Sequence, residues 1–291
     1  RAYCWSTVMV PNSCSTSNTH EWAGTLKRPS LAGFGPVLRS NREGWKTAPE
    51  EGTQLMDQPI AVQQAYWNDW NAAKNERPLS DISADQRELV VQWLSRIGRT
   101  DLKILEVGCG AGWLCPSLKP FGHVTATDLS EGVLREAAAR VPDVKFVAGD
   151  FMELDLGTGQ YDVIVSLEVL SHVADHPAFM AKLATLLRPG GMLMLATQNR
   201  PVLERHNNVP PPAPEQLRNW VDRDELMALL MPHFEIRQLR SISATANKGF
   251  YRLILGRKAK RAMRALFGRS LENAMARAGL GWTLIALARK R

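Results

Sequence analysis

The chain has 291 residues, enough for one substantial core, and its 45% hydrophobic and 22% charged residues are an ordinary balance for a globular protein. No uninterrupted apolar run approaches the roughly 18–20 residues of a membrane span, and Cys4, Cys14, Cys109 and Cys115 make no C-x-x-C pair, so the pattern points away from a spanning protein, a zinc site and a disulfide framework. The formal charge of +7 is uneven: from Arg237 onward 14 Lys/Arg face the single Glu272, so this segment carries +13 and the remainder −6.

Residues 1–55 are rich in Ser, Thr, Asn, Gly and Pro without a helical or strand period, the pattern of disorder. They carry no apolar stretch of secretory-signal length, and patterned sequence begins near Met56, which is the expected physiological start. Residues 56–100 read as a helical cap: "AVQQAYWNDWNAAK" is an aromatic-rich helix and "ADQRELVVQWLSRIG" an amphipathic one. An α/β stretch, 101–291, follows. Its strands are "LKILEV", "HVTATD", "VKFVAGD", "YDVIVSL" and "GMLMLAT", separated by the helices "WLCPSLKPF", "SEGVLREAAARV" (with Ser130 as N-cap) and "HPAFMAKLATLL". Aliphatic strands alternating with helices predict a doubly wound, mostly parallel sheet covered on both faces. After a Pro-rich segment come the helix "DRDELMALLM" and the strands "FEIRQLRSI" and "GWTLIALARK". Residues 243–280 between these strands exceed any hairpin loop. Their apolar residues Leu253, Ile254, Met263, Leu266 and Phe267 are interleaved with Arg and Lys, which predicts a basic amphipathic helix.

Gly108, Gly110 and Gly112 stand between the strand "LKILEV" and a helix, where absent side chains let a ligand approach the backbone and the helix N-terminus. The dinucleotide pattern G-x-G-x-x-G needs a small residue at position 113, and Trp113 stands there. The run E-V-G-C-G-A-G instead resembles the first motif of class I S-adenosylmethionine-dependent methyltransferases. The resemblance continues in register through "TATDLS", "AGDFMEL", "YDVIVSLEVLSHVAD" and "LLRPGGMLMLATQNR".

That resemblance implies a Rossmann-like, seven-stranded fold and S-adenosyl-L-methionine as cofactor, with no metal. It implies cofactor contacts from Glu106, Gly108, Cys109 (through its backbone), Gly110 and Gly112. It further implies Asp128 and Leu129 at the ribose, Asp150 and Phe151 at the adenine, and Leu167 at the end of the fourth strand. Upstream, Tyr66, Trp67 or Trp70 would lid the methionine end. The segment "SLEVLSHVAD" is similar to the E-x-L-E-H-V of ubiquinone-pathway O-methyltransferases, with Ser171 in place of the second Glu. Glu168 and His172 are the expected catalytic pair, His172 being the preferred base because an ordinary imidazole titrates near neutrality, and the alternative is that His172 only hydrogen-bonds the loop.

The residues that mark other acceptors are missing: "SLEVL" stands where amino-methylating nucleic-acid enzymes carry [DNS]-P-P-[YFW], no cysteine follows Cys115, and one glutamate alone occupies the loop. The expectation is a methyltransferase for a small-molecule acceptor, accepting through oxygen, in the cytoplasm. The basic segment reads as a solvated surface, with peripheral contact to an anionic inner-membrane surface as the alternative, and the oligomeric state stays open. The alternatives are an RNA methyltransferase using the basic segment and a non-catalytic S-adenosylmethionine-binding protein; a nicotinamide oxidoreductase is the rival that Trp113 opposes.

Overall fold

The computed structural model describes residues 60–72 and 79–291, save 257, 258, 260, 262–264 and 267. The expectations for residues 1–55 and Met56, and the side chains of Trp70, Met263 and Phe267, lie outside the described residues.

Two helices come first, α1 (Ile60–Ala72) and α2 (Asp81–Ile97). Ser80 caps α2 by accepting from the Ser83 N–H, and Gly98 ends it in the left-handed conformation. There follow β1 (Leu102–Val107), the single-turn α3 (Cys115–Leu118), β2 (Gly122–Asp128), α4 (Glu131–Arg140) and β3 (Lys145–Ala148). The second half comprises β4 (Tyr161–Leu167), α5 (His176–Leu186), β5 (Leu187–Gln198), α6 (Arg200–His206), α7 (Arg223–Leu230), β6 (Phe234–Ala244), the short α8 (Arg252–Leu255) and α9 (Ser270–Met275), and β7 (Gly281–Lys290).

The seven strands form one sheet in the order β3-β2-β1-β4-β5-β7-β6. The pairs from β3 to β5 are parallel, while β7 runs antiparallel to both β5 and β6. Alternate residues of each strand enter separate cores, as a doubly wound sheet requires. On one face Leu105, Val107, Ile164 and Leu195 pack with Phe179 and Leu183 of α5 and Leu226 of α7. On the other, Ile104, Val163, Val165 and Ile285 pack with Val90, Trp93 and Leu94 of α2, Leu118 of α3 and Leu134 of α4. Trp93 is 1% exposed, and emptying such a site by truncation to Ala costs about 3–5 kcal/mol.

The expected Rossmann-like α/β sheet is therefore present, and two local differences have physical reasons. "WLCPSLKPF" is only one α-turn followed by a 3₁₀ turn, because Pro116 and Pro120 withhold two backbone donors within five residues. β6 continues through Ser243 and Ala244, so the insertion begins two residues later than the sequence pattern placed it. Its described residues include the short helices α8 and α9 and further helical residues at Ala259, Arg261, Ala265 and Leu266, and α9 is followed by a π-turn at Ala276–Leu280 broken by Gly279 (φ 91°). Asn199 fastens the far end: its amide donates to the carbonyls of Gly279 (3.2 Å) and Gly281 (2.8 Å).

Candidate functional site

The chain winds outward from β1 through β2 to β3, then returns to start β4 on the other side of β1. The carboxyl ends of β1 and β4 therefore diverge, which is where open α/β sheets bind ligands. Gly108 (φ 72°), Gly110 (φ 52°) and Gly112 (φ 71°) all adopt left-handed backbone in the loop leaving β1. A Cβ on Gly108 would lie 2.2 Å from Cγ2 of Val169, so this glycine also lets the β1 loop pass the segment after β4.

Two carboxylates stand beneath that loop. Glu106 is 3% exposed and accepts from the Cys115 thiol at 3.1 Å. Burial pushes its carboxyl up to about 8, with the neighbouring Asp128 charge adding to the effect. Asp128 ends β2 and accepts from the Gly110 N–H (2.7 Å) and the Ser130 N–H (3.0 Å). Burial raises its pKa too, opposed by these backbone bonds. Ser130 occupies the N-cap position of α4, and its hydroxyl bonds Asp128 rather than the helix. Among the described residues neither carboxylate forms a salt bridge, so the pair suits a ligand carrying both a cation and hydroxyls.

Cys109 is engaged within the loop through its backbone. Its N–H donates to Thr127 O (2.9 Å), its carbonyl accepts from Gly112, and its buried thiol has its pKa raised by burial. Leu129 follows Asp128, and its carbonyl accepts from the Gln64 amide at 3.0 Å, which ties α1 to the cleft. Asp150 caps its own turn, accepting from the Met152 N–H at 2.9 Å. The Phe151 ring packs edge-to-face on Phe179 (centroids 5.3 Å) beneath the Lys182 ammonium, so that ring belongs to the core as well as to the cleft edge.

Past Leu167, which closes β4, Glu168 takes φ 64°, an unusual conformation for a residue with a side chain. Its N–H donates to Ala196 O at 2.8 Å. Its Oε1 accepts from the amide of Gln86 on α2 and from the Thr283 hydroxyl of β7 at 2.9 Å. Burial pushes the Glu168 carboxyl up to about 7. His172 closes the 3₁₀ turn after β4, where its Nδ1 lies 2.8 Å from Leu217 O. A carbonyl partner requires Nδ1 to carry the proton, which leaves the lone pair on Nε2. The Trp67 ring of α1 meets the imidazole edge-on with centroids 4.5 Å apart, and Tyr66 meets Trp67 at 5.0 Å. Burial pushes the imidazole down to about 4, far below the ordinary value expected from sequence.

Helix α1 thus reaches both groups, Gln64 touching Leu129 and Trp67 touching His172, Gly108 passes Val169 between them, and Asp150 and Phe151 follow β3. Sequence reasoning missed Gln86, Thr283 and the 207–222 loop. Gln86 had a signal, a polar residue on the helix stripe shared with Val90, Trp93 and Leu94. The loop had none beyond its prolines, yet its Leu217 fixes His172 and its Asn219 N–H donates to Ser171 O at 2.8 Å.

A methyltransferase-domain family model matches residues 82–248. A ubiquinone biosynthesis O-methyltransferase from Aromatoleum aromaticum is 34% identical over 140 residues, covering 45% of this chain and 57% of that protein. One from Caulobacter sp. is 33% identical over 151 residues, covering 46% and 60%. The chain therefore spans under two thirds of the length of these relatives. Among solved structures, an N-methyltransferase from Bradyrhizobium japonicum in complex with S-adenosyl-L-homocysteine superposes with a TM-score of 0.55 at 16% identity, covering 79% of this chain and 98% of that one. A 1,6-didemethyltoxoflavin-N1-methyltransferase from Burkholderia thailandensis gives 0.53 at 21% identity, covering 79% and 88%.

Proposed function

The chain belongs to the methyltransferase-domain family, and from this premise we propose that it is an S-adenosylmethionine-dependent methyltransferase acting on a hydroxyl of a small molecule. The observation that supports this reading is the pair of carboxylates, the buried Glu106 and the half-buried Asp128, under a left-handed glycine loop at the sheet's switch point. When bound, S-adenosylmethionine supplies a sulfonium-activated methyl carbon and leaves as S-adenosylhomocysteine. Asp128 would accept from its ribose hydroxyls and Glu106 would face its methionine ammonium. The glycine loop admits its backbone approach, and Asp150 flanks the adenine end.

The protein's remaining tasks are alignment, exclusion of water and removal of one proton. Trp67 and Tyr66 cover the acceptor end and keep it dry. His172 presents Nε2 as a neutral acceptor, because Leu217 fixes the other nitrogen as the donor. With a pKa near 4 it is too weak to ionise a hydroxyl beforehand. It would need to accept the proton only once the hydroxyl oxygen has become acidic by taking the methyl group that the bound cofactor would supply. The proton then passes to Nε2 late in the transfer. Glu168, bonded to Gln86 and Thr283, holds the β4 turn that carries His172. O-methylation is supported by the ubiquinone biosynthesis O-methyltransferase relatives and by the absence of the amine-gripping motif in "SLEVL".

The test is calorimetric titration with S-adenosylmethionine and with NADH, followed by incubation with methyl-labelled S-adenosylmethionine and a metabolite extract. Binding of the first alone, with label recovered on a small molecule as an ether, is the expected result. NADH binding, or label recovered on RNA, would overturn it.

A further inference from the structure

The acceptor end of the cleft holds a cation that no side chain of the described residues neutralises. Arg218 lies in the 207–222 loop directly after Leu217, the residue that fixes His172. Its guanidinium stacks over the Trp220 ring at 4.7 Å and donates to Pro210 O at 2.7 Å, with Gln216 Oε1 a further 3.4 Å contact. A guanidinium has five N–H donors, so most of its fork is free for a ligand. Burial lowers the Arg218 pKa, and the one group acting against this is the Tyr66 phenol; no carboxylate does so.

Tyr66 itself is the second observation. Its hydroxyl is buried and has no hydrogen-bond partner. It sits where it feels Arg218 and the exposed Glu215, while His172 also feels Arg218. Three groups from three separate segments thus converge: a donor-acceptor phenol without a partner, a partly buried cation and a neutral imidazole. Trp67 and Trp220 wall them with flat surfaces. An orphaned buried hydroxyl and an uncompensated buried cation each carry a desolvation cost that one ligand would remove.

We propose that Arg218 and Tyr66 bind a carboxylate on a small planar acceptor, presenting that acceptor's hydroxyl to His172. This rests on the methyltransferase reading and adds the acceptor's chemical class to it: a hydroxylated aromatic acid. Arg218 would grip the carboxylate through its planar fork and Tyr66 would donate its O–H to the same group.

The experiment uses the full chain saturated with S-adenosylhomocysteine, titrated separately with 3,4-dihydroxybenzoate and with 3,4-dihydroxybenzamide. If S-adenosylhomocysteine itself does not bind, the methyltransferase reading fails first and separately. With it bound, the acid should bind at least tenfold more tightly than the amide. Arg218→Gln should abolish that preference, Arg218→Lys should restore part of it, and Tyr66→Phe should weaken the acid while leaving the amide unchanged. Denaturant unfolding reports whether each variant folds; where Arg218→Gln does not fold, Arg218→Lys and Tyr66→Phe decide. Equal binding of acid and amide, no binding of the acid, or a preference that survives substitution of Arg218 would each overturn the proposal.

Discussion

Burial sets the ionisation of three side chains around the cleft, and it sets them in opposite directions. Glu106 is pushed up to about 8 and Glu168 to about 7, while His172 falls to about 4. At pH 7 Glu106 is therefore mostly protonated in the free protein. An arriving ammonium favours its ionised form, so cofactor binding should release a proton from it. Calorimetry in phosphate and in Tris should give apparent enthalpies that differ by the buffers' ionisation heats; identical enthalpies would show that Glu106 does not face the cationic end. Asp128→Ala should weaken cofactor binding about 10–100-fold, the worth of hydrogen bonds to a charged acceptor. His172 sharpens the pH profile. If it takes the proton, kcat should stay level down through pH 6 and fall with a midpoint near 4, and His172→Ala should lower kcat by about 10²–10⁴ with cofactor affinity kept. A midpoint near 7 would instead transfer the role to Glu168.

The elements around these residues were legible wherever a local rule and the tertiary context agreed. β1, β4 and β7 match their sequence patterns residue for residue, because each is a largely aliphatic stretch that begins after a turn or loop. The glycine loop and the carboxylates ending β1 and β2 were equally readable, since their chemistry is local to one βα turn. What could not be read was pairing between distant segments. Nothing near Glu168 announces that Gln86 and Thr283 share its Oε1, or that Leu217 sets the tautomer of His172. The lowered basicity of His172 is likewise a product of three elements closing over it. Gly108 gives an element-scale test. Gly108→Ala would force φ 72° on a residue with a side chain and drive its Cβ into Val169. A stability loss of about 1–3 kcal/mol is expected, read by denaturant unfolding. Adding Val169→Ala should recover the steric part and leave the backbone part. Gly159→Ala, with φ 61° and open space around it, provides the backbone cost alone.

At the scale of the whole molecule, charge is segregated as sharply as chemistry. The segment from Arg237 carries +13 and the rest −6, and the insertion between β6 and β7 holds much of that positive charge. It also exposes apolar side chains: Phe250 is 71%, Leu253 70% and Leu266 73% accessible. Among the described residues no helix is long and apolar enough to cross a membrane. A surface that pairs cations with protruding apolar groups instead suits the interface of an anionic bilayer, where each nearby Lys or Arg contributes about 1 kcal/mol. Phe250 and Leu253 flank the start of α8, and contacts on Asp85 of α2 join Ser243 of β6 to Arg269 of the insertion. The Ser243 hydroxyl donates to Asp85 at 2.7 Å, and Arg269 pairs with the same carboxylate. Vesicle contact would thus be made by a segment joined through Arg269 to α2. The expected outcome is flotation with phosphatidylglycerol vesicles at low salt, loss of binding at about 0.5 M salt where the screening length falls to a few ångströms, and none with phosphatidylcholine. Phe250→Ser with Leu253→Ser should weaken flotation while leaving S-adenosylmethionine affinity unchanged, because neither side chain lines the cleft. Absence of flotation at low salt would leave the basic surface to nucleic acid, and salt-sensitive RNA retention would then be the competing result to seek.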